Sequence, residues 1–161
     1  MKKIVILLSL VFISCANFGQ LTLVVDLSKS LKEVSGNEMI ANSDLIWMIN
    51  DSGNKPEVFG VNQQGGIKKV VAVNAQNHDW EDLASDEKGN LYIGDFGNNN
   101  QKRKTLTILK IANQDLLNTD KVEVAEISFE YPKSKKNKKV SYDAESLFYH
   151  QNYLYIFTKS R

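Results

Sequence analysis

Asp79-Trp80-Glu81-Asp82-Leu83-Ala84, with Leu91-Tyr92-Ile93-Gly94-Asp95 following after a polar gap, is the stretch on which the fold is read. An acidic cluster leads through the turn residues Lys88-Gly89-Asn90 into a short apolar run that ends on a carboxylate. The same plan stands upstream, where Ser35-Gly36-Asn37-Glu38-Met39-Ile40 precedes Leu45-Ile46-Trp47-Met48-Ile49-Asn50-Asp51. It stands again downstream, where Asp143-Ala144-Glu145-Ser146-Leu147-Phe148 precedes Tyr153-Leu154-Tyr155-Ile156-Phe157-Thr158. From the glutamate to the strand end the spacing is 13, 14 and 13 residues. Short apolar runs of this length, bounded by Gly, Asn and Asp, read as buried strands rather than helices.

Repetition at roughly 45 to 65 residues, each unit made of short strands, is the pattern of blades in a β-propeller. Outward from the central copy, Leu21–Leu27 reads as an opening strand and Pro56–Asn62 as a strand closing on the Gln63-Gln64-Gly65-Gly66 loop. Ile67–Val73 returns, which completes a first unit of about four strands. In the second unit Thr105–Ile111 is a strand, Asn113–Thr119 a loop or single helical turn, and Lys121–Tyr131 one alternating, half-buried strand. No sustained helical periodicity occurs after residue 20, so the expected class is all-β. Lys133–Lys139 carries five lysines in seven residues and reads as a solvated hairpin tip rather than a polyanion contact.

About two and a half blades cannot close a ring of the usual four to eight. The expectation is therefore a partial β-propeller, the N-terminal part of a longer and six-bladed one; a small open β-sheet domain is the rival. The partial reading predicts exposed apolar surface along Leu147, Phe148, Tyr155 and Phe157.

The chain has 161 residues, 42% of them apolar, and a net charge of +1. That is enough for one core and supplies no field suited to nucleic acid. Two histidines (His78, His150) and a single cysteine, Cys15, exclude a disulfide framework and zinc sites built on paired Cys or clustered His. Residues 1–19 read as an export signal, with Lys2-Lys3 before the apolar run Ile4–Ile13. Two processing readings follow. Cleavage before Gln20 or after Ala16 releases a soluble chain; alternatively Phe12-Ile13-Ser14-Cys15, a lipobox with Phe where Leu is usual, places a lipid anchor on Cys15. Either route exports the mature domain, residues 20–161, with no transmembrane segment.

Trp47-Met48-Ile49-Asn50-Asp51-Ser52-Gly53-Asn54, Asp79-Trp80-Glu81-Asp82, Gly94-Asp95-Phe96-Gly97-Asn98-Asn99 and Tyr142-Asp143-Ala144-Glu145-Ser146-Leu147 resemble the motifs of a family of secreted bacterial propeller proteins. The family pattern runs NDSGN, DWED(I/L)A, GD(I/F)G(D/N)N, an Arg, YPDG, DAE(A/S)L and a late TK. Arg103 or Lys104 stands in the Arg region, Tyr131-Pro132 at the start of YPDG and Thr158-Lys159 at the TK, while Lys133-Ser134 replaces the Asp-Gly. That family is distantly similar to the SdiA-regulated and phytase-like propellers, and to the six-bladed gluconolactonase and strictosidine-synthase-like superfamily. The resemblance implies a fold more than a reaction, together with a calcium ion near the channel mouth on Glu, Asn and Asp side chains.

In such a ring equivalent positions converge on one mouth. The repeat alignment then groups Glu38, Glu81 and Glu145 as one set and Asp51, Asp95 and Thr158 as another, flanked by Asp79, Asp82 and Asp143. Crowded carboxylates need a cation or a retained proton, and hard oxygen ligands favour Ca²⁺ or Mg²⁺. The candidate metal site is Glu81 and Glu145 with Asp51, Asp95 and Asn99. The plainer reading makes the Asp and Asn residues turn caps, Trp47 and Trp80 packing residues, and His78 a solvent-facing loop residue rather than a general base. The expected function is an exported ligand-binding or scaffold module for a small molecule or surface partner, with a divalent-cation site. The alternative is a metal-dependent hydrolase of lactones or phosphate esters.

Overall fold

The computed structural model describes residues 22–41, 43–132 and 142–159. The expected export signal, Cys15, and the lysine-rich segment 133–139 lie outside them. The described chain is mainly antiparallel β, in three sheets. In the first, β1 (Val34–Met39), β2 (Ile46–Asn50), β3 (Glu57–Val61) and β4 (Ile67–Val73) form a consecutive meander. The second holds β5 (Trp80–Ser85), β6 (Leu91–Asp95), β7 (Leu106–Ile111) and β9 (Ala125–Phe129). Between β7 and β9 come a short helix, α1 (Asn113–Asn118), and β8 (Lys121–Val122). The third sheet pairs β10 (Asp143–His150) with β11 (Tyr153–Lys159).

Two expected elements are corrected. Residues 22–27 form no strand, and Leu23 and Val24 stand exposed. An isolated alternating segment with no partner edge gains no ladder hydrogen bonds. The run 121–131 is two strands. β8 pairs parallel with β4, Val73 opposite Val122, whereas β9 pairs antiparallel with β7 and is largely exposed. Val122 is buried with Val71 and Val73, so burial on the first sheet captures this end of the run while its other end closes the second.

The sheets stack face to face. Trp47, Ile49, Val58, Val71 and Val73 of the first sheet bury against Leu83, Leu91, Ile93, Leu109 and Ile111 of the second. The other face of the second sheet sets Tyr92, Phe96, Leu106 and Ile108 against Ala144, Leu147, Leu154 and Ile156 of the third. Both tryptophans are fully buried. Burying side chains of this size contributes about 1.5–3 kcal/mol each, or somewhat more for indole. Leu147, expected at the surface, is buried in the second junction, whereas Phe148, Tyr155 and Phe157 are exposed as expected.

β5 lies against β1 on one side and β10 on the other, so the first strands of the three sheets are neighbours. Gly36 makes the first approach possible: a Cβ there would lie 2.8 Å from the Asp82 Cα and the Leu83 amide nitrogen. Asp82 makes the second, its Oδ2 accepting from the Ser146 hydroxyl (2.9 Å) and the Leu147 amide (2.8 Å). The β5–β6 turn is set by Gly89, whose φ of +75° suits a residue without Cβ, and by Asp86, which accepts from the Lys88 and Asn90 amides.

Candidate functional site

Each first strand carries a β-bulge near its start, and the bulges fall at matching places. Val34 pairs with Asn50 and Gly36 with Ile49, which leaves Ser35 as the extra residue. Trp80 pairs with Asp95 and Asp82 with Gly94, which leaves Glu81. Ala144 pairs with Thr158 and Ser146 with Phe157, which leaves Glu145. A bulge re-aims its extra side chain out of the alternation of the ladder.

This register corrects the repeat alignment. The counterpart of Glu81 and Glu145 in the first sheet is Ser35; Glu38 lies three residues further along β1, opposite Trp47. Its carboxylate keeps company with Asp82 and Ser85, and burial pushes its pKa up. Likewise Asn50, Asp95 and Thr158 hold equivalent strand ends, and Asp51 is one residue beyond. The first copy has a serine where the other two have glutamate, and the stretch between the bulge and the partner strand differs in length among the copies, so matching acidic letters slides the first copy out of register.

Asp51 nevertheless reaches the site. One carboxylate oxygen each from Asp51, Asp79 and Glu81 lies within 4.8 Å of the others. Ligands 2.3–2.6 Å from a shared Ca²⁺ stand no more than about 5 Å apart, so this trio fits the hard cation that the donor chemistry suggests. The trio is held from below. Asn77 donates to the backbone carbonyls of Asn50 (3.1 Å) and Asp51 (2.9 Å) while its Oδ1 accepts from the Trp80 amide (3.2 Å), which ties the end of β2 to the start of β5. Gly97 supplies the floor, because a Cβ there would overlap Asp79 Oδ2 and Glu81 Oε1.

Behind the trio Asp95 is buried and already engaged. Its Oδ1 meets Arg103 Nη1 at 3.0 Å and accepts from the Asp79 amide at 3.1 Å, while Oδ2 meets His78 Nδ1 at 2.9 Å. Arg103 also donates to the carbonyls of Gly97 (3.1 Å) and Asp95 (2.9 Å), so it clamps the loop that forms the floor. Asn98 closes that loop on Arg103 and donates its amide to Asp143 Oδ1 at 3.0 Å. On the third sheet Lys159 Nζ lies 3.4 Å from Asp143 Oδ2 and forms an ion pair with Glu145.

The electrostatics follow from this crowding. Burial first, then the charges of Glu145, Asp79 and Asp51, push the Glu81 pKa up to about 8, against an opposing pull from Lys159. Burial also raises Asp79, with Asp51 and Asp95 adding to it and the Ser52 hydrogen bond and Arg103 opposing. Glu145 holds the Lys159 ammonium above its ordinary value. A proton on Glu81, or a cation among Asp51, Asp79 and Glu81, relieves the same repulsion.

Of the expected ligands, Asp51 and Glu81 come together. Glu145 lies near enough to raise Glu81 but pairs with Lys159, and Asp95 sits behind as a support. Asn99 is exposed and lines an open polar cleft of about 310 Å³ beside Ser52, Asp79 and Arg103. Sequence reasoning gave Asp79 only a flanking place and assigned no role to Asn77, Arg103 or Lys159. Arg103 and Lys159 stood inside quoted motifs, which is the signal that could have found them. His78, expected to face solvent, is exposed and is also oriented by the buried Asp95. The chain matches no family model and no curated protein.

Proposed function

We propose that the three sheets are consecutive blades of a β-propeller in an exported binding or scaffold protein. In this reading Asp51, Asp79 and Glu81 bind a hard divalent cation, Ca²⁺, at the end of the axis where the bulged strands meet. The observation that carries the cation site is the convergence of those three carboxylates within 4.8 Å on a floor that admits no side chain. The flanking placement of β1, β5 and β10 supports the propeller, since first strands of successive blades neighbour one another around an axis. The cation would fix the loop after β2 to the start of β5, with Glu145 and Lys159 closing the rim.

The test is thermal unfolding of the full chain during Ca²⁺ titration, with and without chelator. A ligand bound only by the folded state at a hundred times its Kd adds about 2.7 kcal/mol, so the melting temperature should climb with Ca²⁺ and fall back on chelation. Glu81→Gln should remove most of that response. A melting temperature indifferent to Ca²⁺ in the parent chain would end the cation proposal.

One observation favours a second reading, a metal-dependent hydrolase. His78 Nδ1 at 2.9 Å from the buried Asp95 is a base oriented by a carboxylate, the arrangement that general-base catalysis requires. Turnover of a lactone or phosphomonoester that needs Ca²⁺ and disappears in His78→Asn would establish this reading over the first.

A further inference from the structure

We propose that Lys159 is a tethered counter-ion, which cancels the charge of Glu145 and thereby sets the affinity of the Asp51–Asp79–Glu81 site for its cation. The inference rests on the cation reading above and adds a residue that controls the site without touching the ion. The repeat supplies the comparison. Asp79 and Glu81 flank Trp80 in the register in which Asp143 and Glu145 flank Ala144, each glutamate being the extra residue of its bulge. What differs is the residue just past the equivalent strand ends Asn50, Asp95 and Thr158. It is Asp51 in the first sheet, Phe96 in the second and Lys159 in the third. Asp79 and Glu81 thus have a fully buried phenyl ring at this position of their own sheet, and take a third carboxylate, Asp51, from the sheet before. Asp143 and Glu145 have the phenyl ring in the sheet before and an ammonium in their own. One pair gains an acid and the other a base.

The ammonium is firmly placed. Lys159 Nζ lies 3.4 Å from Asp143 Oδ2 and forms an ion pair with Glu145. The Asp143 side chain is 1% exposed, and its Oδ1 accepts from the Asn98 amide at 3.0 Å, so the carboxylate that anchors the ammonium is itself fixed. Glu145, for its part, is held close to the cation site. Asp82 ties β5 to the two residues that follow Glu145, through the Ser146 hydroxyl and the Leu147 amide, so the two bulged glutamates stand on adjacent strands. Among the charges that raise Glu81, Glu145 acts ahead of Asp79 and Asp51, and Lys159 is the charge that opposes them. Paired, Glu145 and Lys159 leave little net field at the trio. The number of acting carboxylates is what tunes a Ca²⁺ site, so removing either partner changes the affinity.

The test is calorimetric titration of the full chain with Ca²⁺ at pH 9, above the value of about 8 to which Glu81 is raised. Lys159→Met should bind Ca²⁺ about tenfold more tightly, the worth of one unit charge about 6 Å from a divalent ion in a water-like medium. Lys159→Arg keeps the countercharge and should keep the parent's affinity. Glu145→Gln leaves the ammonium unopposed and should weaken binding by about the same factor. The double variant Glu145→Gln/Lys159→Met removes a neutral pair and should return to within about threefold of the parent, as additive charges require. Should Lys159→Met alone fail to fold, Glu145→Gln and the charge-balanced double variant decide the matter. A double variant as weak as Glu145→Gln would make Glu145 an ordinary ligand and overturn the proposal, as would a folded Lys159→Met with the parent's affinity. A parent that ignores Ca²⁺ while Lys159→Met binds it would end the cation reading of the parent chain and uphold the role of Lys159. Indifference of both chains to Ca²⁺ would overturn both.

Discussion

Glu81 concentrates the electrostatics of the site in one side chain, and its protonation sets the sign of the pH response. The unfolded chain releases this proton near the ordinary value of 4.5, while the folded chain holds it to about pH 8. Between those values the folded state binds more protons, so stability falls as pH rises through the window. The raised Asp79 and Glu38 act in the same direction. Urea midpoints without added divalent cation should decline from pH 5 to pH 9, and Glu81→Gln should flatten the decline and be the more stable chain at pH 9. Solvent reaches part of this carboxylate, so the change is well below the full free-energy equivalent of the shift. Asp95→Asn, by contrast, leaves Arg103 facing a neutral partner in a mostly buried setting. It should cost about 3 kcal/mol in urea denaturation at pH 7, the low end for a broken buried pair because Arg103 keeps some exposure. Gly97→Ala should cost about 1–3 kcal/mol by overpacking and weaken the Ca²⁺ response, since Asp79 and Glu81 must both give way to the new methyl group.

Among elements, the decisive contacts run between first strands rather than within sheets. Asp82 reaches from β5 to Ser146 and Leu147 of β10, and Asp82→Ala leaves the part-buried Leu147 amide without its acceptor, a loss at the low end of the range for a buried donor. An unsatisfied buried donor costs about 1–3 kcal/mol. Hydrogen exchange should show that loss first at the amides of β10 and β11, leaving β2 and β3 unchanged; uniform weakening across all strands would contradict this role for Asp82. The strands themselves were easy to read. β4 and β6 lie where short apolar runs and the turn residues bounding them place them, because both signals are local to the chain. The run 121–131 was not, because its period is continuous while its partners are not. β8 leans on β4 and β9 on β7, a division made by tertiary pairing alone.

At the scale of the molecule, stability is uneven along the stack. Among the described residues the second sheet is covered on both faces, whereas the third is a two-stranded pair covered on one. Two strands are marginal without a packed face. The amides of β10–β11 should therefore exchange through smaller openings than those of β6. Protection in β10–β11 equal to that of β6 would show that the stack unfolds as a single unit.

The sequence by itself determined the all-β character and the three-fold recurrence of acid cluster and apolar strand, since these depend on periodicity, turn chemistry and residue type. Tertiary structure alone decided which carboxylates meet. The extra residue of the bulge is Glu81 in β5 and Glu145 in β10 but Ser35 in β1, while Glu38 pairs regularly with Trp47 and lies beside Asp82. The ion pairs that bind Asp95 to Arg103 and Glu145 to Lys159 depend likewise on how loops and sheets approach in space. A bulge and a long-range ion pair leave no periodic trace along the chain. Their effect appears only when strands from different sheets are brought side by side.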